Sequence, residues 1–162
     1  MSIYLDLKLL VLLGIANGVP VFAKGVLGSH LSFPLDGGAR FLDGQPLFGT
    51  SKTLRGIVLS LLVTTLFALI FGIDWKIGLL IAALAMLGDL FSSFLKRRMR
   101  LASSSMAIGL DQLPESLIPL LACVPLLALS VADVASITDC FFGGEILLSR
   151  LLYKVHLRDR PY

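Results

Sequence analysis

Five apolar runs, separated by polar stretches of very unequal length, set the pattern of the chain. They lie at about residues 5–23, 56–72, 77–95, 113–131 and 134–152. A helix needs about 20 mostly apolar residues to cross about 30 Å of hydrocarbon. The second run, "GIVLSLLVTTLFALIFG", is slightly short by that measure, and the others are close to it. In lipid the backbone must satisfy its own polar groups, so such runs are expected to be helices. The pattern therefore predicts an all-α integral membrane protein, a bundle of about five transmembrane helices forming one domain over residues 1–162. Two polar stretches, 24–55 and 96–112, are long, whereas the connections "IDWK" and "VAD" are short. No internal repeat interrupts this plan.

Composition agrees. Of 162 residues, 56% are apolar and 15% charged, with a mean hydropathy of +0.89; soluble domains carry about 25% charged residues. The pI near 9.1 would suit nucleic acid, but the positions of the charges argue against that partner. With the N-terminus outside, twelve of the 14 Lys and Arg residues fall on the inner side, leaving only Lys8 and Lys76 outside. The positive-inside rule then predicts N-out, C-in, in a cell membrane, with both long loops in the cytoplasm where nucleotides are found. Bases at span ends also orient a chain and touch anionic lipid heads, which is the simplest reading of Arg100, Arg158 and Arg160. Asp6 and Lys8 make a poor signal-peptide start, so the first run is expected to be a retained span. Cys123 and Cys140 form no C-x-x-C pair and are expected to be reduced, small core residues.

The stretch "DGGARFLDGQPLFGTSKTLRG", residues 36–56, departs most from its surroundings. Gly44 to Gly49 matches half of a phosphate-binding G-x-x-x-x-G loop, but Thr50 and Ser51 intervene before Lys52-Thr53 and no buried strand precedes it. A Walker fold is therefore not expected. The ingredients remain those of phosphate binding: glycines that let backbone N–H groups approach an anion, the charges of Lys52 and Arg55, and the hydroxyl of Thr53. A helix starting near Lys52 would add its N-terminal dipole. "DGGAR" also approaches the D-G-x-x-A-R motif of CDP-alcohol phosphotransferases, but it is one residue short. Thr53 and Ile57 stand where that motif needs metal-binding aspartates.

The third run ends in "GDLFSSFLKRR", where Asp89, Ser93 and Lys96 share one helical face and Ser93 and Arg97 are four apart. A carboxylate in or near hydrocarbon normally has a partner or a metal, and Lys96 could simply neutralise Asp89. Asp111 comes to the same side before the fourth run. Two carboxylates near a basic loop suit Mg²⁺, which is usually held by one or two carboxylates plus phosphate oxygens. His30 and His156 are the only histidines, and neither has a serine partner suited to a hydrolytic triad. A phosphate monoester is already an anion and can attack without a base; it needs positioning, metal and positive charge. A membrane enzyme joining a nucleotide to a lipid phosphate meets that description.

Taken together, "PLDGGARFLDGQPLFGTSKTLRG", "GDLFSSFLKRR", "GLDQLPES" and the N-G-x-P of Asn17 to Pro20 resemble the CDP-archaeol synthase family, which groups with the phosphatidate cytidylyltransferases. The resemblance covers nearly the whole chain. It implies that CTP and a membrane lipid phosphate give CDP-lipid and pyrophosphate with Mg²⁺, the lipid being an archaeol-type ether or a phosphatidic-acid-like diester. It further implies metal binding by Asp89 and Asp111, and nucleotide and phosphate contacts by Lys52, Thr53 and Arg55. Ser93, Lys96 and Arg97 match the S-x-x-K-R signature, Asp43 and Gly44 the D-G pair, and Gly49 the F-G before the lysine. On this reading Lys52, Arg55, Lys96 and Arg97 spread over the reacting phosphates. The sequence departs from the diacyl enzymes in lacking the K-D and H-G-G that follow S-x-x-K-R there. It also has Leu54 where archaeal loops often carry Trp.

Other polar positions stay open. Asn17 either bonds within a helix kinked at Pro20 or lines the nucleotide pocket. Gly14-x-x-x-Gly18 is a candidate helix-packing motif. Asp139 is expected to face the bundle, and Glu145 to pair with Arg150 or a pocket base. Glu115 is expected to act as a first-turn carboxylate, and Trp75 as an interfacial anchor. The alternatives to a cytidylyltransferase are a CDP-alcohol phosphotransferase and a non-enzymatic transport or scaffold subunit. Oligomeric state is not legible.

Overall fold

The computed structural model describes residues 3–103, 105 and 107–154. His156, Arg158 and Arg160 lie outside them. Five helices form in the described residues: α1 Ile3–Leu27, α2 Leu54–Ile70, α3 Trp75–Arg98, α4 Gln112–Leu127 and α5 Val131–Lys154. The all-α bundle thus follows the apolar runs. Among the described residues, α1 and α3 are the helices long and apolar enough to cross a membrane by length and composition alone. The 17 residues of α2 and 16 of α4 fall short, and α5 carries Asp133, Asp139, Glu145, Arg150 and Lys154 along its length.

Helix ends have local causes. The Thr53 hydroxyl accepts the Gly56 N–H at 3.2 Å and opens α2, and Asp74 accepts the Lys76 N–H at 2.8 Å and opens α3. The largest departure from the expected boundaries is between α4 and α5. The fourth run was expected to reach residue 131, but α4 ends at Leu127, with Ala128 left-handed at φ 50°. Ser130 and Asp133 then cap each other: the Ser130 N–H donates to the Asp133 carboxylate at 2.8 Å, and the Asp133 N–H to the Ser130 hydroxyl at 3.2 Å. This reciprocal cap starts α5 at Val131, so "VAD" is its first turn and not a connection.

α3 packs against α1, α2 and α4, and α5 closes the bundle against α1 and α4. The apolar core lies in the half of the bundle away from the long loops. Leu9, Leu12 and Leu13 meet Ala68, Ile81, Leu120, Cys123, Ile137 and Phe141 there. α2 buries a stripe of small residues, Gly56, Ser60, Thr64 and Ala68, which lets backbones approach closely. At one end of this stripe, a Cβ on Gly56 would sit 3.1 Å from the Pro20 Cβ. Pro20 has no N–H for the carbonyl of Ala16, four residues earlier. The buried Ser60 hydroxyl takes that carbonyl instead, at 2.7 Å.

Three expectations are corrected. Cys140 is exposed, not a core residue; Cys123 is buried, and both are free thiols. Asp139 is exposed and does not face the bundle. Gly14 has no atom within 4 Å of a built Cβ and Gly18 only the Phe22 ring edge at 4.0 Å, so this pair makes no close helix contact within the chain.

Candidate active site

The loop 28–53 folds back on itself through paired backbone contacts. The Leu35 N–H donates to the Lys52 carbonyl at 2.8 Å, and the Leu54 N–H to the Phe33 carbonyl at 3.1 Å. Inside this frame Asp36 is the organiser. Its carboxylate accepts the N–H groups of Gly38, Phe48 and Gly49 at 3.0, 3.0 and 3.1 Å. Burial raises the Asp36 pKa, but these amides outweigh it and hold the carboxyl below its ordinary value. The loop amides that the sequence suggested for phosphate therefore cradle an anion of the protein itself. Gly49 sits at φ +91°, a region L-residues rarely adopt.

Arg98, at the last turn of α3, fastens this loop to the bundle. Its Nε lies 3.1 Å from the Asp43 carboxylate and its Nη2 donates to the Pro46 carbonyl at 2.6 Å. The guanidinium stands 4.8 Å from the ring centres of both Phe41 and Phe94. The Ser103 and Ser51 hydroxyls, 3.2 Å apart, join the second loop to the first.

Between the loops and the helix ends lies a cavity of about 670 Å³, within the range of about 300–1,000 Å³ common to ligand clefts. Its charged groups come from every side: Lys24 from α1, Lys52 from the loop, Arg55 from the start of α2, Asp89, Lys96 and Arg97 from α3, Asp111 and Glu115 from the start of α4, and Glu145 from α5. Lys52 Nζ lies 2.5 Å from both Asp89 carboxylate oxygens. Burial works to lower the Lys52 pKa, but the charges of Asp89, Glu115 and Asp111 outweigh it and hold the ammonium above its ordinary range. Lys96 Nζ lies 2.7 Å from the Asp111 carboxylate and donates to the Ser105 carbonyl at 3.0 Å. Arg97 donates to the Ala102 carbonyl at 2.8 Å.

The α3–α4 joint explains how the carboxylates meet. The Ser92 hydroxyl sits 2.9 Å from the Gly88 carbonyl and 2.7 Å from that of Leu110. The Ala107 N–H donates to Asp111 at 2.9 Å and the Gly109 N–H to Gln112 at 2.8 Å. Glu115 is 3% exposed and lines the cavity together with Asp89.

Among the described residues, no group of three or more His, Cys, Asp or Glu is placed to hold a metal ion. Oxygen-only donors such as Asp89, Asp111 and Glu115 nonetheless suit a hard cation that completes its shell with phosphate oxygens and water.

Of the residues singled out in the sequence, Asn17, Lys52, Thr53, Arg55, Asp89, Ser93, Lys96, Arg97 and Asp111 all line this cavity. The Asn17 amide donates to the Leu13 carbonyl at 3.1 Å, and the residue also lines the cavity. Arg55 also braces the end of α1, donating to the carbonyls of His30 and Gly28. Asp43, Gly44 and Gly49 stand outside the cavity lining, in the loop's own framework. Sequence reasoning missed the parts played by Asp36, Arg98 and Ser92, and read Glu115 only as a first-turn carboxylate. The "KRR" run marked Arg98 as basic, but not as the bridge to Asp43.

Comparison with known proteins gives one consistent result. The family model "CarS-like: CDP-archaeol synthase" matches residues 7–162. A CDP-archaeol synthase of Sulfurisphaera tokodaii is 32% identical over 154 residues, covering 91% of this chain and 89% of its own. One of Saccharolobus solfataricus is 36% identical over 122 residues, 70% of each chain. A solved structure of an intramembrane enzyme for archaeal membrane lipid biosynthesis superposes with a TM-score of 0.64 at 25% identity, covering 90% of this chain and 92% of that one.

Proposed function

The chain belongs to the CDP-archaeol synthase family and transfers the cytidylyl group of CTP to a membrane lipid phosphate; on that premise we propose how its residues do so, and on which lipid. The acceptor is an archaeol-type isoprenoid ether lipid phosphate, a choice supported by the names of the relatives. All five helices span the membrane, N-terminus out, with the cavity on the cytoplasmic side. The short α2 and α4 both meet the long loops, so the polar cavity lies within the depth that the longer α1 and α3 cross.

The observation that carries the mechanism is one cavity in which Lys52, Lys96 and Arg97 face Asp89, Asp111 and Glu115. The triphosphate binds among the three cations, Lys52 and Lys96 exchanging their carboxylate partners for phosphate oxygens. Asp89 and Asp111, with Glu115 in the same cavity, are the residues that would hold Mg²⁺, which when bound would supply neutralisation of phosphate charge. The lipid phosphate oxygen attacks the α-phosphorus. A new P–O bond forms, the bond to the β-phosphate oxygen breaks, and pyrophosphate leaves. No base is required, because the nucleophile is already ionised. Catalysis comes from positioning and from fixed positive charge where negative charge builds up.

The test is pyrophosphate release by the purified protein in micelles with CTP and Mg²⁺. Di-geranylgeranyl glycerol phosphate and diacyl phosphatidic acid serve as parallel acceptors. Release with the ether lipid alone is expected. Release with the diacyl lipid alone would overturn the choice of lipid, and consumption of a CDP-lipid with CMP release would point to a phosphotransferase.

A further inference from the structure

Lys52 stands on a loop, whereas Asp89, Lys96 and Arg97 stand on α3. Among the described residues, two ion pairs join this loop to α3. One is Lys52 with Asp89, at 2.5 Å. The other is Asp43 with Arg98, at 3.1 Å. At about 1.5 Å per residue the two ties lie about 13 Å apart along the helix. Lys96 and Arg97 line the cavity; Arg98, next in the chain, reaches for the loop instead.

Arg98 grips the loop in three ways. Beside the pair with Asp43, its Nη2 donates to the Pro46 carbonyl at 2.6 Å. Its guanidinium also lies 4.8 Å from the ring centres of Phe41, on the loop, and Phe94, on α3. The two rings meet edge to face at 5.3 Å. Pairing and stacking at once is what the planar arginine fork supplies and lysine does not. Phe41, Asp43 and Pro46 belong to one tight hairpin. In it the Phe41 N–H donates to the Gln45 carbonyl at 2.8 Å, the Leu47 N–H to the Ala39 carbonyl at 3.0 Å, and the Gln45 N–H to the Asp43 carboxylate at 3.0 Å. The chain leaving the hairpin is bound to Asp36 through the amides of Phe48 and Gly49. The Gly49 carbonyl then accepts the Lys52 N–H at 3.3 Å, and the Lys52 carbonyl accepts the Leu35 N–H at 2.8 Å. A hydrogen-bonded path thus runs from Arg98 to the Lys52 backbone.

We infer that Arg98 is a positioning residue for CTP: it holds the loop on α3 so that Lys52 stays within reach of the cavity when its ammonium leaves Asp89 for the triphosphate. This rests on the cytidylyltransferase reading. The Lys52–Asp89 pair cannot keep the loop in place at that moment, because the incoming phosphate replaces it. The Arg98 grip uses the hairpin and the two rings, none of which line the cavity, so it outlasts the exchange. A loosened loop would spend part of its time with Lys52 out of place, and the apparent affinity for CTP falls by that fraction.

The experiment measures equilibrium binding of labelled CTP, with Mg²⁺ and no lipid acceptor, to the purified protein in micelles. Arg98→Met keeps the apolar stem and removes the fork. It should weaken CTP about tenfold, the effect of a loop in place about one tenth of the time. Asp43→Asn, at an exposed position, should act in the same direction by about three- to fivefold, since the Pro46 and ring contacts remain. In pyrophosphate release the KM for CTP should rise to match, while turnover at saturating CTP stays within about threefold, because bound CTP restores the arrangement. The decisive arm repeats both changes in a Lys52→Met background, where the loop carries no ammonium to place. There each should alter CTP affinity by less than about twofold. Equal losses in both backgrounds would overturn the inference, since general damage to the site or a direct contact of Arg98 with CTP would act without Lys52. So would unchanged affinity with Lys52 intact. If Arg98→Met does not fold, Asp43→Asn in the two backgrounds decides alone. An unaltered protein that binds no CTP would instead defeat the parent reading.

Discussion

Gly88 of α3 lies directly against the backbone of Pro114 in α4. A Cβ on Gly88 would fall on the Pro114 carbonyl and come within 2.8 Å of the Glu115 nitrogen. The missing side chain lets two helices meet at backbone distance, and the next residue along each helix, Asp89 and Glu115, both line the charged cavity as a result. The "GD" of the third run is thus a joint and a charged group placed side by side.

Gly88→Ala should therefore destabilise the protein by about 1–3 kcal/mol, the usual range for overpacking, and lower activity more than stability alone explains. The measurements are thermal unfolding in detergent and pyrophosphate release well below the unfolding midpoint. Full activity in a folded variant would mean that the close α3–α4 joint is not used.

Asp89→Asn keeps the size of the side chain and an oxygen for Lys52, so the fold should survive. It removes the negative charge proposed to hold metal. Turnover should fall about 100-fold or more, the scale of losing one electrostatic group in a preorganised site. A variant as active as the unaltered enzyme, at any Mg²⁺ concentration, would remove the metal role from Asp89.

What the sequence allowed differs from part to part for physical reasons. The helices were legible because their apolar runs approach the length that lipid demands. The α4–α5 boundary was not, because Ser130 and Asp133 cap a helix inside an otherwise oily stretch. The α3 face of Asp89, Ser93 and Lys96 followed from helical period, and all three reach the cavity. Glu115 was read as a first-turn carboxylate because the helix dipole favours one there; its place in the cavity with Asp89 depends on a joint between two helices. Asp36 was judged against a phosphotransferase motif, since nothing local reveals that Phe48 and Gly49 fold back onto it. The glycines were least legible. Gly14 and Gly88 look alike in sequence, yet one borders open space and the other a backbone.

The Asp36 cradle predicts a response to acid. Its carboxyl is held below the ordinary 3.8, so the stabilisation it gives is complete above the unfolded value and is lost as pH falls through the lower, folded one. Between about pH 5 and 2 the amide resonances of Phe48 and Gly49 should shift together, reporting release of the loop. Asp36→Asn, whose NH₂ group cannot accept, should show the released signals already at neutral pH and no acid step. Amide shifts in the variant that match those of the unaltered protein would rule the cradle out.

Ser60 and Pro20 predict a coupled pair. The Ser60 hydroxyl occupies the Ala16 carbonyl that Pro20 leaves without its helical partner. Ser60→Ala should strand that buried carbonyl and cost about 1–3 kcal/mol. In a Pro20→Ala background the restored N–H can reach the same carbonyl, so the cost of Ser60→Ala should shrink by more than half. Thermal or denaturant unfolding of the two single variants and the double variant gives the interaction energy directly. Pro20→Ala also touches Gly56, whose Cβ position lies 3.1 Å from the Pro20 ring. That contact is removed in both arms of the cycle and cancels. Additive losses would mean that water, and not the Ser60 hydroxyl, satisfies Ala16; a strong coupling would mean that the kink proline in α1 and the small-residue face of α2 act as one device that sets the entrance to the charged cavity.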